Sequence, residues 1–171
     1  VTKWRQASPR IKDFWYLLGR AFEDAITDGK VTTLDRNMKV FKSNGNVYIQ
    51  LPNGRILGYV TPRIKDGQVS FLGLNQTTRK WEWTKTWGGK LTENVVQAIA
   101  RDCLCETLKG CDEIGAKTIM HVHDEVICEV PTEEKETKFK QLLEVMAKPI
   151  DWAPDLVLVG DGFISEYYKK D

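Results

Sequence analysis

The sequence is short of the features that most quickly place a protein. Its 171 residues hold two histidines and four cysteines, and none of Cys103, Cys105, Cys111 and Cys128 stands in a CxxC spacing. Cys103 and Cys105 fall two apart in a helical stretch, and so on different faces. Disulfide frameworks belong mainly to small secreted domains. Free structural thiols in a reducing cytoplasm are therefore the expectation. No apolar run is long enough to span a membrane, no signal peptide is evident, and there is no repeat or low-complexity linker. An excess of one charge is also lacking: 25 basic and 24 acidic side chains leave a net charge of +1. That balance excludes little, because a nucleic-acid binder can gather its basic groups on one face. What is present is core material. Hydrophobic residues make up 42% of the chain, enough to rule out a disordered segment. The length suits one ordinary domain or a large piece of a bigger one. The chain opens Val1-Thr2-Lys3-Trp4, without methionine and with a helical pattern already under way, as a cut fragment would.

Apolar residues Phe14, Leu17, Leu18, Ala21, Phe22, Ala25 and Ile26 recur at helical spacing and predict a helix within residues 4–26. Ser8 is the expected cap, Pro9 the first turn and Gly29 the stop. A β-rich stretch follows. Segments 38–41 and 47–51 flank Ser43-Asn44-Gly45-Asn46, an Asn-Gly turn signal, and Pro52-Asn53-Gly54-Arg55 separates the second from 56–60. Further strands are expected at 69–74 and at 81–87, where Trp81-Glu82-Trp83 alternates aromatic with polar as a half-buried strand does. Gly88-Gly89 breaks the pattern before a long helix over 91–109, whose end Gly110 and Gly115 punctuate. Segments 118–123 and 126–130 predict a hairpin with Asp124 and Glu125 at its tip. Thr132 is expected to cap a helix that buries Phe139, Leu142, Leu143 and Met146 and ends at Pro149. Residues 156–159 predict a last strand and 166–171 a charged tail. This order gives an α+β fold, with helices packed on a mainly antiparallel sheet.

The two acids of the hairpin carry the chemistry. Adjacent carboxylates cannot both be desolvated without partners, so they require water, a cation or a base. Hard oxygen ligands suit Mg²⁺, which takes one or two protein carboxylates and completes its shell with water and phosphate. The plainer reading is a solvated turn. His121 and His123 stand two apart and would share a strand face. With Asp124 they could instead hold zinc for a hydrolase.

The run His123-Asp124-Glu125 between apolar strands resembles the third conserved motif of the family A DNA polymerases. A second block supports the resemblance: Trp87-Gly88-Gly89-Lys90-Leu91-Thr92-Glu93-Asn94-Val95-Val96-Gln97-Ala98-Ile99-Ala100-Arg101-Asp102 is similar to the palm helix that precedes that motif, in its phage and prophage branch. Three further stretches resemble that branch: Trp4-Arg5-Gln6-Ala7-Ser8-Pro9 and the helix after it, Leu51-Pro52-Asn53-Gly54-Arg55-Ile56-Leu57-Gly58-Tyr59, and the segment from Asp161-Gly162-Phe163 to Tyr167. The resemblance implies a palm-type sheet in an incomplete piece of a larger polymerase domain. It divides the chain into the end of the fingers at 1–30, a β-meander insertion at 31–87, and a palm portion at 88–171 with a minor-groove helix and the acidic hairpin. It implies Asp124 as the Mg²⁺ ligand of a two-metal site, Glu125 as accessory carboxylate, and His123 near the primer terminus. Gln97 matches the family's glutamine facing the DNA minor groove, while Asn94 stands one position off the family's asparagine and Glu93 stands where many members carry that asparagine. Arg101, Lys85 and Lys90 would supply cations near the backbone of the primer–template.

The same resemblance shows what the chain lacks. The family holds its two metals on two aspartates, one in the hairpin motif and the other on an Asp-Tyr-Ser-like strand, and grips the dNTP phosphates from an Arg/Lys helix; neither that strand nor that helix occurs here. The expectation is a half site, inactive alone, from an enzyme of the bacterial host cytoplasm whose substrates are primer–template DNA and dNTP, without a membrane partner. An unpaired sheet edge would invite self-association. The rival readings are the zinc hydrolase and a non-catalytic interaction module with a solvated acidic turn.

Overall fold

The structure, a computed structural model, describes residues 2–169, without the side chains of Thr2 and Trp4. Val1 and the last residues of the expected charged tail, Lys170 and Asp171, lie outside the described residues. The architecture is α+β, as the pattern predicts. Its contacts divide it into two compact units, Val1–Ala98 and Ile99–Asp171.

The first unit opens with helices α1 (Thr2–Ala7) and α2 (Pro9–Thr27). The helical pattern is thus carried by two helices, and the second begins where Ser8-Pro9 signals a start. Ser8 occupies the cap position of α2, with Pro9 beginning the helix, but its side chain makes no capping hydrogen bond. Six strands follow: β1 (Thr32–Thr33), β2 (Lys39–Ser43), β3 (Asn46–Gln50), β4 (Ile56–Lys65), β5 (Gln68–Leu74) and β6 (Trp81–Lys85). They form one six-stranded antiparallel meander in sequence order. The β2–β3 turn is the one its residues demand: Asn44 and Gly45 both take positive φ, 48° and 78°, as a type I′ turn requires. β4 runs five residues past the expected end at 60. Pro62 has no N–H for the ladder, and the register shifts between Val60 and Arg63, so a bulge absorbs the proline and pairing resumes.

Pairing sorts the sheet into two faces. Val40, Val47, Ile49, Tyr59 and Val69 lie on the inner face and are buried, as are Leu18, Ala21, Phe22 and Ala25 of α2, which packs on β2, β3 and β4. Phe22 meets Tyr59 edge to face with ring centroids 5.0 Å apart, and Tyr59 meets Phe71 the same way. Each fully buried side chain of this size contributes roughly 1.5–3 kcal/mol. The outer face carries Phe41, Tyr48, Val60, Leu72, Trp81 and Trp83. The alternation in β6 suggests a buried aromatic side. Trp81 and Trp83 are instead 61% and 39% exposed, and Glu82 and Thr84 take the side of α2.

Helix α3 (Gly88–Glu113) crosses from the first unit into the second. It starts earlier and ends later than the expected 91–109. Gly88 and Gly89 sit inside its first turn, and close packing explains Gly88: a Cβ there would lie 2.0 Å from the carbonyl oxygen of Trp15. Gly110 does not end the helix either, for its bare Cα accommodates Val145, whose Cγ1 would lie 2.4 Å from an added Cβ.

In the second unit β7 (Lys117–Val122) and β8 (Glu125–Glu129) form an antiparallel hairpin, followed by a 3-10 turn at Thr132–Glu134 and helix α4 (Lys135–Ala147). Thr132 does not cap the helix; Pro131 precedes the 3-10 turn and no side chain closes it. Phe139, Leu142, Leu143 and Met146 are half-buried, and α4 has no fully buried residue. The helix ends before Pro149, with Lys148 forced into extended backbone (ψ 130°). Lys138 donates to the carbonyl of Ile114 just past α3, an orphan acceptor at a helix end. Residues 156–159 form no strand. Val157 and Val159 are 85% and 83% exposed, and among the described residues the segment pairs with no strand.

Replacing Gly88 by alanine drives a side chain into backbone rather than into a yielding side-chain tip. Gly88→Ala is expected to lower the unfolding free energy by about 1–3 kcal/mol, and equilibrium urea unfolding checks it.

Candidate active site

The acidic hairpin forms with a shifted tip. Val122 pairs with Glu125, so the two-residue turn is His123-Asp124 and Glu125 is the first residue of β8. His123 takes φ 52°, a left-handed conformation that histidine tolerates better than most side chains. The expected pair of acids at the tip is thus one acid at the tip and one on the strand. Asp124 is exposed and Glu125 half-buried, and neither side chain makes a hydrogen bond or ion pair among the described residues. No basic side chain neutralises the tip from within the described part of the chain. The carboxylate of Asp124 is open to water or to a cation.

The histidines do not act together. His121 lies on β7 opposite Val126, whereas His123 has left the strand for the turn. Arg101 of α3 sits against His121, with Nη1 3.3 Å from Nδ1 and Nη2 3.5 Å from Nε2. Those ring nitrogens point in different directions, so the guanidinium lies along the imidazole rather than donating in line to both. Among the described residues no three His, Cys, Asp or Glu side chains come together in a metal-holding group. The zinc arrangement of His121, His123 and Asp124 is not assembled. Asp124 and Glu125 suit a hard divalent cation, but only as part of a ligand set.

The α3 candidates have separate local fates. Asn94 is half-buried, and its Nδ2 donates to the hydroxyl of Tyr59 on β4 at 3.1 Å. Burial pushes the Tyr59 phenol above its usual pKa, and the Asn94 hydrogen bond acts the other way. Gln97 is exposed and its amide reaches Glu93 at 3.4 Å, one turn earlier. Arg101 is exposed beside His121. Asp102 is buried at 6% exposure, although an ordinary amphipathic reading puts it on the wet face. Arg55 donates from Nη2 to the carbonyl of Ala98 at 2.8 Å, a long-range tie within the first unit. A cleft of about 230 Å³ in the second unit, lined among others by Glu106, Gly110, Met146, Trp152 and Leu158, does not include the hairpin tip.

Residue patterning missed two features. Cys111 of α3 lies close to Cys128 of β8, and Thr118 Oγ1 is 3.7 Å from the Cys128 sulfur. The Cys111 thiol is raised by its hydrogen bond to Cys128 and by burial, whereas Cys128 is lowered to about 6 by accepting that bond. Seventeen positions apart in sequence, the two show no spacing signal. The second feature is the outward aromatic face of the sheet. All four cysteines are free. No described helix is long and apolar enough to cross a membrane.

An α+β protein with an open carboxylate at a hairpin tip is the class that the fold and this geometry define. No family model matches the chain, and no solved structure does. The chain is similar to a DNA polymerase of Bacillus phage SP02, with 40% identity over 176 aligned residues; the match takes in 100% of this chain and 27% of that polymerase. The chain thus spans about a quarter of the length of the curated relative it matches.

The geometry separates Asn94 from Gln97. Asn94→Ala leaves a buried phenol unpaired and is expected to cost about 1–3 kcal/mol, while Gln97→Ala stays within about 0.5 kcal/mol of the parent, both read by urea unfolding. The thiols also differ. At neutral pH, iodoacetamide is expected to alkylate Cys128 well before Cys111, which burial protects, and peptide mass spectrometry gives the order.

Proposed function

We propose that this chain is part of a phage-type DNA polymerase of family A, in which the hairpin of β7 and β8 brings one carboxylate of the catalytic metal site. The observation that carries the reading is the 40% identity to a phage DNA polymerase across the whole chain, joined to the exposed Asp124 at the hairpin tip. The substrates are primer–template DNA and dNTP. The primer 3′ hydroxyl attacks the α-phosphorus of the dNTP, the new phosphodiester forms, and the bond to pyrophosphate breaks.

In this reading Asp124 is a Mg²⁺ ligand, open because no protein cation occupies it. A divalent cation held there would lower the pKa of the attacking hydroxyl and offset charge on the leaving pyrophosphate. Glu125, on the strand beside it, orders water around that cation, and His123 borders the primer terminus. Gln97 donates to the minor groove, where acceptors are common to all base pairs, so its contact is insensitive to sequence. Arg101 reaches the DNA backbone from the next turn. Asn94 spends its amide on Tyr59, and its role is to hold α3 against the sheet. The second carboxylate and the groups that grip the dNTP come from outside these 171 residues, because the chain has no Asp-Tyr-Ser-like run.

Two expected outcomes follow from the half site. The purified chain, given labelled primer–template, Mg²⁺ and all four dNTPs, yields no extension. In the full-length enzyme Asp124→Asn lowers extension by about 10³-fold or more, the scale of losing a charge anchor in the transition state. Extension by the chain alone, or full activity of the Asn variant, overturns the assignment.

A further inference from the structure

Apart from Lys85, the outer face of the six-stranded sheet, β1 to β6, has no role in the polymerase reading, and its composition is unusual for an open surface. Trp81 and Trp83 project from β6 on the same side, 61% and 39% exposed. Leu72 and Val60 continue the row across β5 and β4, and Tyr48 and Phe41 stack on each other further along, with centroids 5.5 Å apart. Most exposed sheet faces carry polar side chains in alternation. Here an aromatic surface is left in water.

The charges of that face have one sign. Arg63 and Lys65 of β4, Lys85 of β6 and Lys39 of β2 share it by register. No strand residue of the face is a carboxylate. Glu82, between the two tryptophans in sequence, points to the opposite side, where Asn75 and Thr78 hold it. Lys39, Lys65 and Lys85 make no ion pair among the described residues. The Arg63 guanidinium lies flat over the Trp83 ring, 3.4 Å from its centroid.

We propose that this face binds single-stranded nucleic acid, with Trp81 and the ring face of Trp83 that Arg63 leaves open as stacking platforms and Arg63, Lys65, Lys85 and Lys39 as partners for the phosphates. Exposed aromatic rings interleaved with cations that no carboxylate neutralises are the pattern that holds a single strand without reading its sequence. An acidic peptide would satisfy the lysines but not two neighbouring indoles, whereas every base has a π face. Spacing agrees: residues two apart on a strand are roughly 6.5–7 Å apart, about twice the 3.4 Å base step. The indoles therefore meet alternate bases of a stacked strand or adjacent bases of a stretched one. A duplex keeps its bases stacked inside and offers no π face to them. The proposal stands on the sheet alone and does not use Asp124.

The test is fluorescence anisotropy on the purified chain, without Mg²⁺ or dNTP, so that failure of the polymerase reading cannot mimic failure here. The probes are a short labelled single strand of mixed sequence, as DNA and as RNA, and the DNA duplex of the same sequence. The expected result is binding of the single strands in preference to the duplex, with log K falling against log salt at a slope of up to about −3 as up to four phosphate contacts release counterions. DNA and RNA bound alike mark stacking and charge alone; a preference marks contact with the sugar, and either supports the proposal. Trp81→Ala and Trp83→Ala are each expected to weaken binding about 5- to 150-fold. Trp83→Phe keeps a platform and recovers most of the loss, which separates stacking from misfolding. Unchanged binding in both alanine variants, or equal binding of the duplex, overturns the proposal. So does a chain that sediments as a dimer and becomes monomeric in the alanine variants while oligonucleotide affinity stays the same.

Discussion

Phe22 of α2 sits edge-on against Tyr59 of β4, and the first unit is organised around that contact. The inner face of the meander has to be covered. Val40, Val47, Ile49 and Tyr59 would otherwise meet water, and one amphipathic helix covers them. The phenol of Tyr59 is buried with its ring, so its hydroxyl needs a partner, and Asn94 of α3 supplies one. Gly88 completes the arrangement by letting the start of α3 approach the backbone of α2 at Trp15 and Gly19. Helix, sheet and second helix are thus joined by an aromatic contact, one hydrogen bond and one missing Cβ.

The hairpin in the second unit follows a different rule. A two-residue turn holds His123 at positive φ and leaves Asp124 outside any local network. A carboxylate without a protein partner is stable only while hydrated or bound to a cation. This openness is what a metal ligand awaiting the rest of its site needs. It is also what a solvated turn looks like, which is why similarity to a phage polymerase, rather than geometry, carries the functional proposal. The thiols of Cys111 and Cys128, by contrast, lie close to each other.

Much of the fold was legible in advance because local rules and tertiary packing agreed. The Asn44-Gly45 turn has one favourable geometry, and it is the one found. The apolar spacing of α2 predicts the side that is buried. The hairpin was legible to within one residue; its tip moved because pairing of Val122 with Glu125 leaves only His123 and Asp124 for the turn. The errors cluster where a long-range contact overrides a local preference. Gly88 and Gly110 are helix breakers by propensity, yet both lie inside α3, since Trp15 and Val145 need the space a side chain would fill. Residues 156–159 have strand composition, but composition cannot provide a neighbouring strand.

The amino-acid sequence by itself determined the fold class, the order of elements as far as α4 and, to within one residue, the position of the acidic hairpin, because each depends on periodicity, turn chemistry or spacing along the chain. Only the tertiary structure decided which side of the sheet is covered. Alternation in β6 says that Trp81 and Trp83 share a face, but the face that meets α2 is set by register across five other strands. It likewise decided that Asn94 is tied to Tyr59 while Gln97 is left exposed, since partners 35 positions apart meet only when helix and sheet have packed.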